Sequence, residues 1–125
     1  MDKKSKKILI VEDDKDFLEI LKIKLTSEGF SVVTAGDGIE GLSVAEKEKP
    51  NLVISDVLMS KMDGIEMAKK IKASNKKVLI VFLTNTKGSD FTKDIEKSKE
   101  FDYLVKSDLR INDIVDKIKS KLGFK

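Results

Sequence analysis

Residues 8–14 read ILIVEDD, in which four apolar residues are followed at once by three acidic ones. A second stretch, LVISD at residues 52–56, has the same form and ends in Asp56. Short apolar runs that do not alternate with polar residues are typical of strands buried on both faces of a parallel sheet. The other runs of this kind are residues 32–34, 78–83 and 103–105. The sequence therefore predicts five strands.

Between these runs, apolar residues recur at the three- and four-residue spacing of amphipathic helices. The stripes are Phe17, Leu18, Leu21 and Leu25; Ile39, Leu42 and Ala45; Ile65, Ala68 and Ile71; and Ile111, Ile114, Val115, Ile118 and Leu122. The segment before the fifth strand has a weaker pattern, with only Phe91 and Ile95 as its stripe. The alternation predicts an α/β fold, in which helices cover both faces of a five-stranded parallel sheet.

Chain length predicts the number of domains, and individual glycine and polar residues predict where helices begin and end. A chain of 125 residues fits one domain, and we expect a single domain over residues 1–125 with no output domain. Gly29 is expected to end the first helix, and Ser107 or Asp108 to cap the last one.

Composition excludes several classes of function. The chain has no Cys and no His, which rules out disulfides, Cys-His or Ser-His nucleophile pairs and the usual zinc sites. The net charge of +3 gives no argument for binding to nucleic acid or an anionic membrane. The apolar run after the basic residues 1–7 is too short for a signal peptide or a membrane span. We therefore expect a cytoplasmic protein without membrane insertion.

Polar side chains follow four of the five predicted strands. Open parallel sheets bind ligands beyond the carboxyl ends of their strands, so these side chains are expected at one edge of the sheet. They are Glu12, Asp13 and Asp14 after strand one, Asp56 at the end of strand three, Thr84 at the end of strand four and Lys106 after strand five.

Carboxylates brought together from strands one and three repel each other, and a hard cation such as Mg²⁺ relieves that repulsion. A carboxylate beside such an ion can attack a phosphoryl group, with Asp56 as the nucleophile and Lys106 as the neutralising ammonium. Each residue alone also has a structural interpretation: Asp56 as a turn residue, the acidic run as the charged start of a helix, and Lys106 as a solvated lysine. Their joint placement favours a site.

The sequence resembles the response-regulator receiver family of bacterial two-component systems, in its stand-alone, chemotaxis-regulator-like form. The matching stretches are ILIVEDD at 8–14, DGIEGL at 37–42, LVISDVLMSKMDGIEM at 52–67, FLTN at 82–85 and YLVKSD at 103–108. The resemblance implies a flavodoxin-like fold with strand order 2-1-3-4-5. It also implies a metal-dependent phosphoacceptor that catalyses only its own phosphorylation and dephosphorylation and is otherwise not an enzyme.

Partners follow from the same resemblance. A receiver takes its phosphoryl group from a sensor histidine kinase or a histidine phosphotransfer protein and then regulates a downstream protein. The resemblance implies a monomer or a phosphorylation-linked dimer that makes no direct contact with nucleic acid.

Residue roles can be carried over position by position. Asp56 matches the phosphoacceptor, Asp13 a direct Mg²⁺ ligand, and Glu12 the acidic neighbour that reaches the metal through water. The backbone carbonyl of Leu58, two residues past the acceptor, would be a further metal ligand.

Three other positions match the residues that bind the phosphoryl group or change conformation in response to it. Thr84 would donate a hydrogen bond to it and Lys106 would pair with it, while Tyr103 matches the aromatic residue whose rotamer follows Thr84.

Three positions depart from the family pattern: Ser60 and Ser107 stand where proline is usual, and Asn85 stands where a small residue is usual. The family's Lys-Pro bond is typically cis, but a cis bond before a residue other than proline costs roughly 2.5–4 kcal/mol. We therefore expect the bond between Lys106 and Ser107 to be trans, and the loop that carries Lys106 to be rearranged.

Two other classes of function stay open. An aspartate-nucleophile phosphatase also places an Asp at a strand end, but it needs a second Asp two residues later as general acid, where this chain has Leu58. A receiver-like binding module that is never phosphorylated is the second alternative, and the three departures are compatible with it.

Overall fold

The structure is a computed structural model that describes residues 3–57, 62–84, 93, 95–97 and 100–124. Short 3-10 turns occupy Lys3–Ser5 and Lys106–Asp108, and residues 93 and 95–97 are helical within the segment that has the weaker helical pattern. The strands are β1 (Lys7–Val11), β2 (Ser31–Ala35), β3 (Leu52–Asp56), β4 (Leu79–Thr84) and β5 (Asp102–Val105). The longer helices are α1 (Lys15–Ser27), α2 (Gly38–Glu48), α3 (Gly64–Ser74) and α4 (Ile111–Lys121).

The five strands form one parallel sheet in the order β2-β1-β3-β4-β5, which confirms the predicted fold and strand order. The register aligns the carboxyl ends of the strands, since Val11 lies beside Ser55 and Asp56 lies beside Leu83. Thr84 lies beside Val105, the residue before Lys106. The residues that follow the strands therefore meet at one edge.

Two hydrophobic cores lie on opposite faces of the sheet. Strand β1 divides its side chains between them, with Ile8 and Ile10 in the core under α1 and α4, and Leu9 and Val11 in the core under α2 and α3. Successive side chains of a strand point to opposite faces, so a strand covered on both sides needs apolar residues at every position. This explains the unbroken run at 8–11.

Two expectations about burial were wrong. Strand β2 lies at the edge of the sheet and is mostly half-buried, because only one neighbouring strand covers it. Ile39 was expected in the stripe that packs against the sheet, yet it is 53% exposed. Helix α2 instead turns Gly41 inward, where an added Cβ would lie 2.7 Å from the sulfur of Met67. The close approach of α2 and α3 favours the glycine face.

The helix ends give one confirmed and one wrong prediction. Gly29 follows α1 with φ 104°, and its N–H donates to the carbonyl of Thr26, as expected for a C-terminal glycine. The N-cap position of the last helix is Arg110, not Ser107 or Asp108, because these two residues belong to the 3-10 turn and α4 begins only at Ile111. Among the described residues, none of the helices combines the length and the apolar character needed to cross a bilayer.

Candidate functional site

Three carboxylates meet where β1 and β3 end. One carboxylate oxygen each from Glu12, Asp13 and Asp56 lies within 4.8 Å of the others. Glu12 is buried, Asp56 is half-buried and Asp13 is exposed, so the cluster is open to solvent on one side. The structure thus brings together the acidic residues that the sequence placed at this edge.

The three acidic residues after β1 have different structural roles. Asp14 is the N-cap of α1, where its side chain accepts hydrogen bonds from the N–H groups of Asp16 and Phe17. The N–H of Asp14 in turn donates to Glu12 at 3.2 Å, which holds the Glu12 carboxylate at the sheet edge. The helix-start interpretation is therefore correct for Asp14, whereas Glu12 and Asp13 belong to the cluster.

The backbone around Asp56 is held from two sides. The buried Ser55 hydroxyl donates to the carbonyl oxygen of Asp56 at 2.8 Å. The first residue of α3 packs against the same oxygen, since a Cβ on Gly64 would lie only 2.5 Å from it. Glycine is therefore required for α3 to begin so close to the strand. The Val57 N–H donates to Oδ1 of Asp56 at 2.8 Å, which leaves Oδ2 on the side of Lys106.

Lys106 reaches the carboxylates from the end of β5. Its Nζ lies 2.8 Å from Oε1 of Glu12 and 4.0 Å from Oδ2 of Asp56. The bond to Ser107 is trans, as predicted, because the described residues contain no cis peptide bond. Lys106 begins the 3-10 turn Lys106–Asp108, in which the Leu109 N–H donates to the Lys106 carbonyl. Whether this turn departs from the loop of other family members stays a prediction.

A contact that the sequence did not predict also involves Lys106. Its Nζ lies 4.5 Å from the centroid of the Phe17 ring, within the range of a cation–π interaction. The sequence assigned Phe17 to the core-facing stripe of α1, and the ring does pack against that core. The only sequence signal for the contact was the position of Phe17, one helical turn after the acidic run.

The cluster has three carboxylates and one neighbouring ammonium, so negative charge is in excess. Burial raises the pKa of Glu12 above its ordinary value, and the charge of Asp56 adds to this effect. The hydrogen bonds from Lys106 and from the Asp14 N–H act in the opposite direction without cancelling it. Hard oxygen donors from two or three carboxylates, open to water on one side, fit an Mg²⁺ ion that keeps part of its hydration shell.

Thr84 and Tyr103 lie on one face of the sheet. Phe82 is paired with Tyr103 in the sheet register and shares a face with Thr84, two residues further along β4. Thr84 is buried, whereas Tyr103 is half-buried and its hydroxyl donates to Glu96 at 2.6 Å. This hydrogen bond raises the pKa of the Tyr103 phenol, with smaller contributions from burial and from the charges of Glu96 and Asp102.

Three positions that match or depart from the family pattern belong to other parts of the chain. Leu58, with its predicted metal-binding carbonyl, Ser60 and Asn85 all lie outside the described residues. The predicted roles of these residues therefore stay predictions.

Comparison with known proteins identifies the family and agrees with the fold. Residues 8–119 match the family described as the response regulator receiver domain. The chain is 35% identical over 113 residues to the alkaline phosphatase synthesis transcriptional regulatory protein PhoP of Bacillus subtilis, a match that covers 90% of this chain and 42% of that protein. The chain therefore spans about two fifths of this relative.

Solved structures show the same similarity. A receiver domain protein (CheY-like) from Methanospirillum hungatei JF-1 superimposes with a TM-score of 0.85 at 31% identity, covering 94% of this chain and 93% of that one. CheY in the CheX-CheY-BeF3-Mg²⁺ complex of Borrelia burgdorferi gives a TM-score of 0.82 at 26% identity, covering 94% of this chain and 89% of that one.

Proposed function

Because this chain belongs to the response-regulator receiver family, we propose that it accepts a phosphoryl group on Asp56 and transmits the signal by a change in conformation. The observation that carries the proposal is the cluster itself. The carboxylates of Glu12, Asp13 and Asp56 lie within 4.8 Å of one another, and the Lys106 ammonium lies 4.0 Å from the Asp56 carboxylate.

The proposed reaction is a phosphoryl transfer in which Asp56 is the nucleophile. Its Oδ2 forms a bond to phosphorus while the P–N bond of a phosphohistidine, or the P–O bond of an acyl phosphate, breaks, and the donor leaves with the electron pair. Asp13, Asp56 and the Leu58 carbonyl would hold Mg²⁺ directly and Glu12 through water. The ion would supply positive charge to the equatorial phosphoryl oxygens.

Lys106 would supply the second positive charge. Its ammonium is already close to Asp56 and is paired with Glu12, so a small displacement would bring it to a phosphoryl oxygen. Thr84, at the end of the neighbouring strand, would donate its hydroxyl to another oxygen. Together these groups balance the charge that the transferred phosphoryl group brings.

The wider role follows from membership of the family. We propose that the phosphoryl donor is a sensor histidine kinase or a histidine phosphotransfer protein, and that the phosphorylated domain acts on a downstream protein in the cytoplasm. In this proposal the domain catalyses only its own phosphorylation and dephosphorylation. CheY from Borrelia burgdorferi is found with CheX, beryllofluoride and Mg²⁺, and we propose that this chain also binds beryllofluoride and Mg²⁺.

Intact-mass spectrometry after incubation with a small acyl phosphate and Mg²⁺ tests the proposal. We expect one added phosphoryl group per chain, and chelation of the metal should suppress it. Absence of labelling would favour the binding module that is never phosphorylated. Repeated turnover of varied phosphate esters would favour the phosphatase, although Leu58 supplies no general acid.

A second prediction concerns the switch. Tyr103 is the only tyrosine and the chain has no tryptophan, so tyrosine absorbance and fluorescence report on this side chain alone. Beryllofluoride, a phosphoryl mimic, should draw Thr84 toward it and let the Tyr103 ring move inward, away from Glu96. Loss of the hydrogen bond to Glu96, the largest cause of the raised Tyr103 pKa, should lower that pKa, whereas deeper burial of the ring raises it. Because the hydrogen bond is the larger cause, the phenol should then ionise at lower pH.

Spectrophotometric titration with and without beryllofluoride and Mg²⁺ measures this change. Glu96→Gln removes the charged acceptor and should lower the phenol pKa even without beryllofluoride, which calibrates the effect of the contact. Amide chemical shifts of Thr84, Tyr103 and Arg110 should change on addition of the mimic. Unchanged shifts together with an unchanged phenol titration would contradict the proposed switch.

A further inference from the structure

We infer that Phe17 is a positioning residue for Lys106: its aromatic face holds the Lys106 ammonium over the phosphoacceptor through a cation–π interaction. The inference rests on the proposed function, since it assigns Phe17 a role in the phosphoryl transfer to Asp56.

The Lys106 ammonium lies close to two carboxylates and an aromatic ring of the described residues. Its Nζ is 2.8 Å from Oε1 of Glu12, 4.0 Å from Oδ2 of Asp56 and 4.5 Å from the centroid of the Phe17 ring. The Lys106 side chain is only 19% exposed, so water screens these contacts less than it would at an open surface.

These partners of Lys106 differ in whether they remain when the site is occupied. Both carboxylate partners belong to the cluster that fits a hard cation. A cation bound there would compete with Lys106 for Glu12, and phosphorylation would change Asp56. The ring of Phe17 cannot ligate Mg²⁺, which takes oxygen donors. Of Glu12, Asp56 and Phe17, the Phe17 ring is therefore the partner that neither event removes.

The backbone after Lys106 supplies no proline ring to restrict the lysine. Ser107 follows it through a trans bond, and the chain continues into a short 3-10 turn. A lysine side chain has a flexible stem of four methylene carbons. Holding it in one position costs up to about 2 kcal/mol of free energy in lost conformational entropy. A contact with Phe17 restricts those rotamers before a phosphoryl donor arrives.

A packing role alone would also explain Phe17, because its ring lies partly buried against the core under α1 and α4. The two explanations differ in what they require of the ring. Packing needs apolar volume, whereas the cation–π interaction needs the negative electrostatic potential of the ring face. Fluorination of the ring lowers that potential with little change in volume.

The experiment uses the full chain with Phe17 replaced by Leu, by Tyr, and by phenylalanines that carry increasing numbers of ring fluorines. Two quantities are measured: the rate constant of Asp56 labelling by a small acyl phosphate with Mg²⁺, and the chemical shift of the Lys106 ε-methylene protons in metal-free, unphosphorylated protein. Circular dichroism and thermal unfolding verify that each variant is folded.

We expect Phe17→Leu to slow labelling about 3- to 10-fold, Phe17→Tyr to stay within about twofold of wild type, and the fluorinated series to slow labelling in order of fluorine number. The Lys106 methylene protons should lie upfield in wild type because of the ring current, and they should lose that shift in Phe17→Leu.

Wild-type labelling rates throughout the series would overturn the inference, and so would a slow Phe17→Leu variant combined with a fluorinated series that shows no trend. Failure of the proposed function gives a different result, since wild type itself would not be labelled. In that case the methylene shifts still show whether the ring holds the ammonium, and an unshifted wild-type signal would overturn the contact.

Discussion

Replacement of Asp56 by Asn is expected to abolish phosphoryl labelling. The carboxamide is a poor nucleophile, and the proposed mechanism assigns the bond to phosphorus to this side chain alone. Intact-mass spectrometry with an acyl phosphate and Mg²⁺ measures the loss. The variant should remain folded, because Asp56 is half-buried and an Asn oxygen can still accept the hydrogen bond from the Val57 N–H.

A matched control is available in the same connection between β3 and α3. Asp63 is the N-cap of α3, and its side chain accepts a hydrogen bond from the Glu66 N–H at 2.8 Å. Asn caps helices as well as Asp does, so Asp63→Asn should be folded and labelled at about the wild-type rate. If Asp56→Asn were labelled as fast as this control, the assignment of the phosphoacceptor would be wrong.

Replacement of Asp13 by Asn is expected to raise the Mg²⁺ concentration needed for half-maximal labelling by roughly 10- to 100-fold. The change removes one unit of charge from the three-carboxylate cluster, and a charge interaction near a protein surface is worth a few kcal/mol at ~4 Å. The Asn oxygen remains a possible ligand, which limits the loss. Labelling rates across an Mg²⁺ titration measure the effect.

The neighbouring residue again supplies the control. Asp14 carries the same side chain but caps α1, so Asp14→Asn should leave the Mg²⁺ requirement close to that of wild type. Thermal unfolding gives a second measurement. Mg²⁺ should stabilise wild type through binding to the folded state, and at the same concentration it should stabilise Asp13→Asn less. Equal Mg²⁺ requirements for the two variants would contradict a metal site at Asp13.

The sequence predicted those features of the site that follow from topology. Once β1 and β3 were recognised as buried parallel strands, the acidic residues at their ends had to lie at one edge of the sheet. The structure confirms this for Glu12, Asp13 and Asp56. It was enough to know where each strand ends, because the sheet register then places the side chains.

The sequence could not predict features that depend on competing contacts. Lys106 can reach the carboxylate of Glu12, the carboxylate of Asp56 and the ring of Phe17. Only the folded geometry shows that its closest contact among these is with Glu12. The exposure of Ile39 depends on the fit between α2 and α3, where the buried Gly41 allows a closer approach. The start of α4 depends on a turn at Lys106–Asp108 that has no strong sequence signature.

The position of β1 between β2 and β3, with side chains in both cores, has a consequence for hydrogen exchange. Its amide protons become accessible to solvent only when neighbouring strands separate, and that separation disrupts the packing on both faces of the sheet. We expect the amides of Leu9 and Ile10 to exchange only through global unfolding. Asp13, just beyond the strand, is exposed, and local opening should reach it first. The acidic cluster therefore follows a strand whose amides we expect to be among the last to exchange, because packing on both faces of the sheet holds that strand in place.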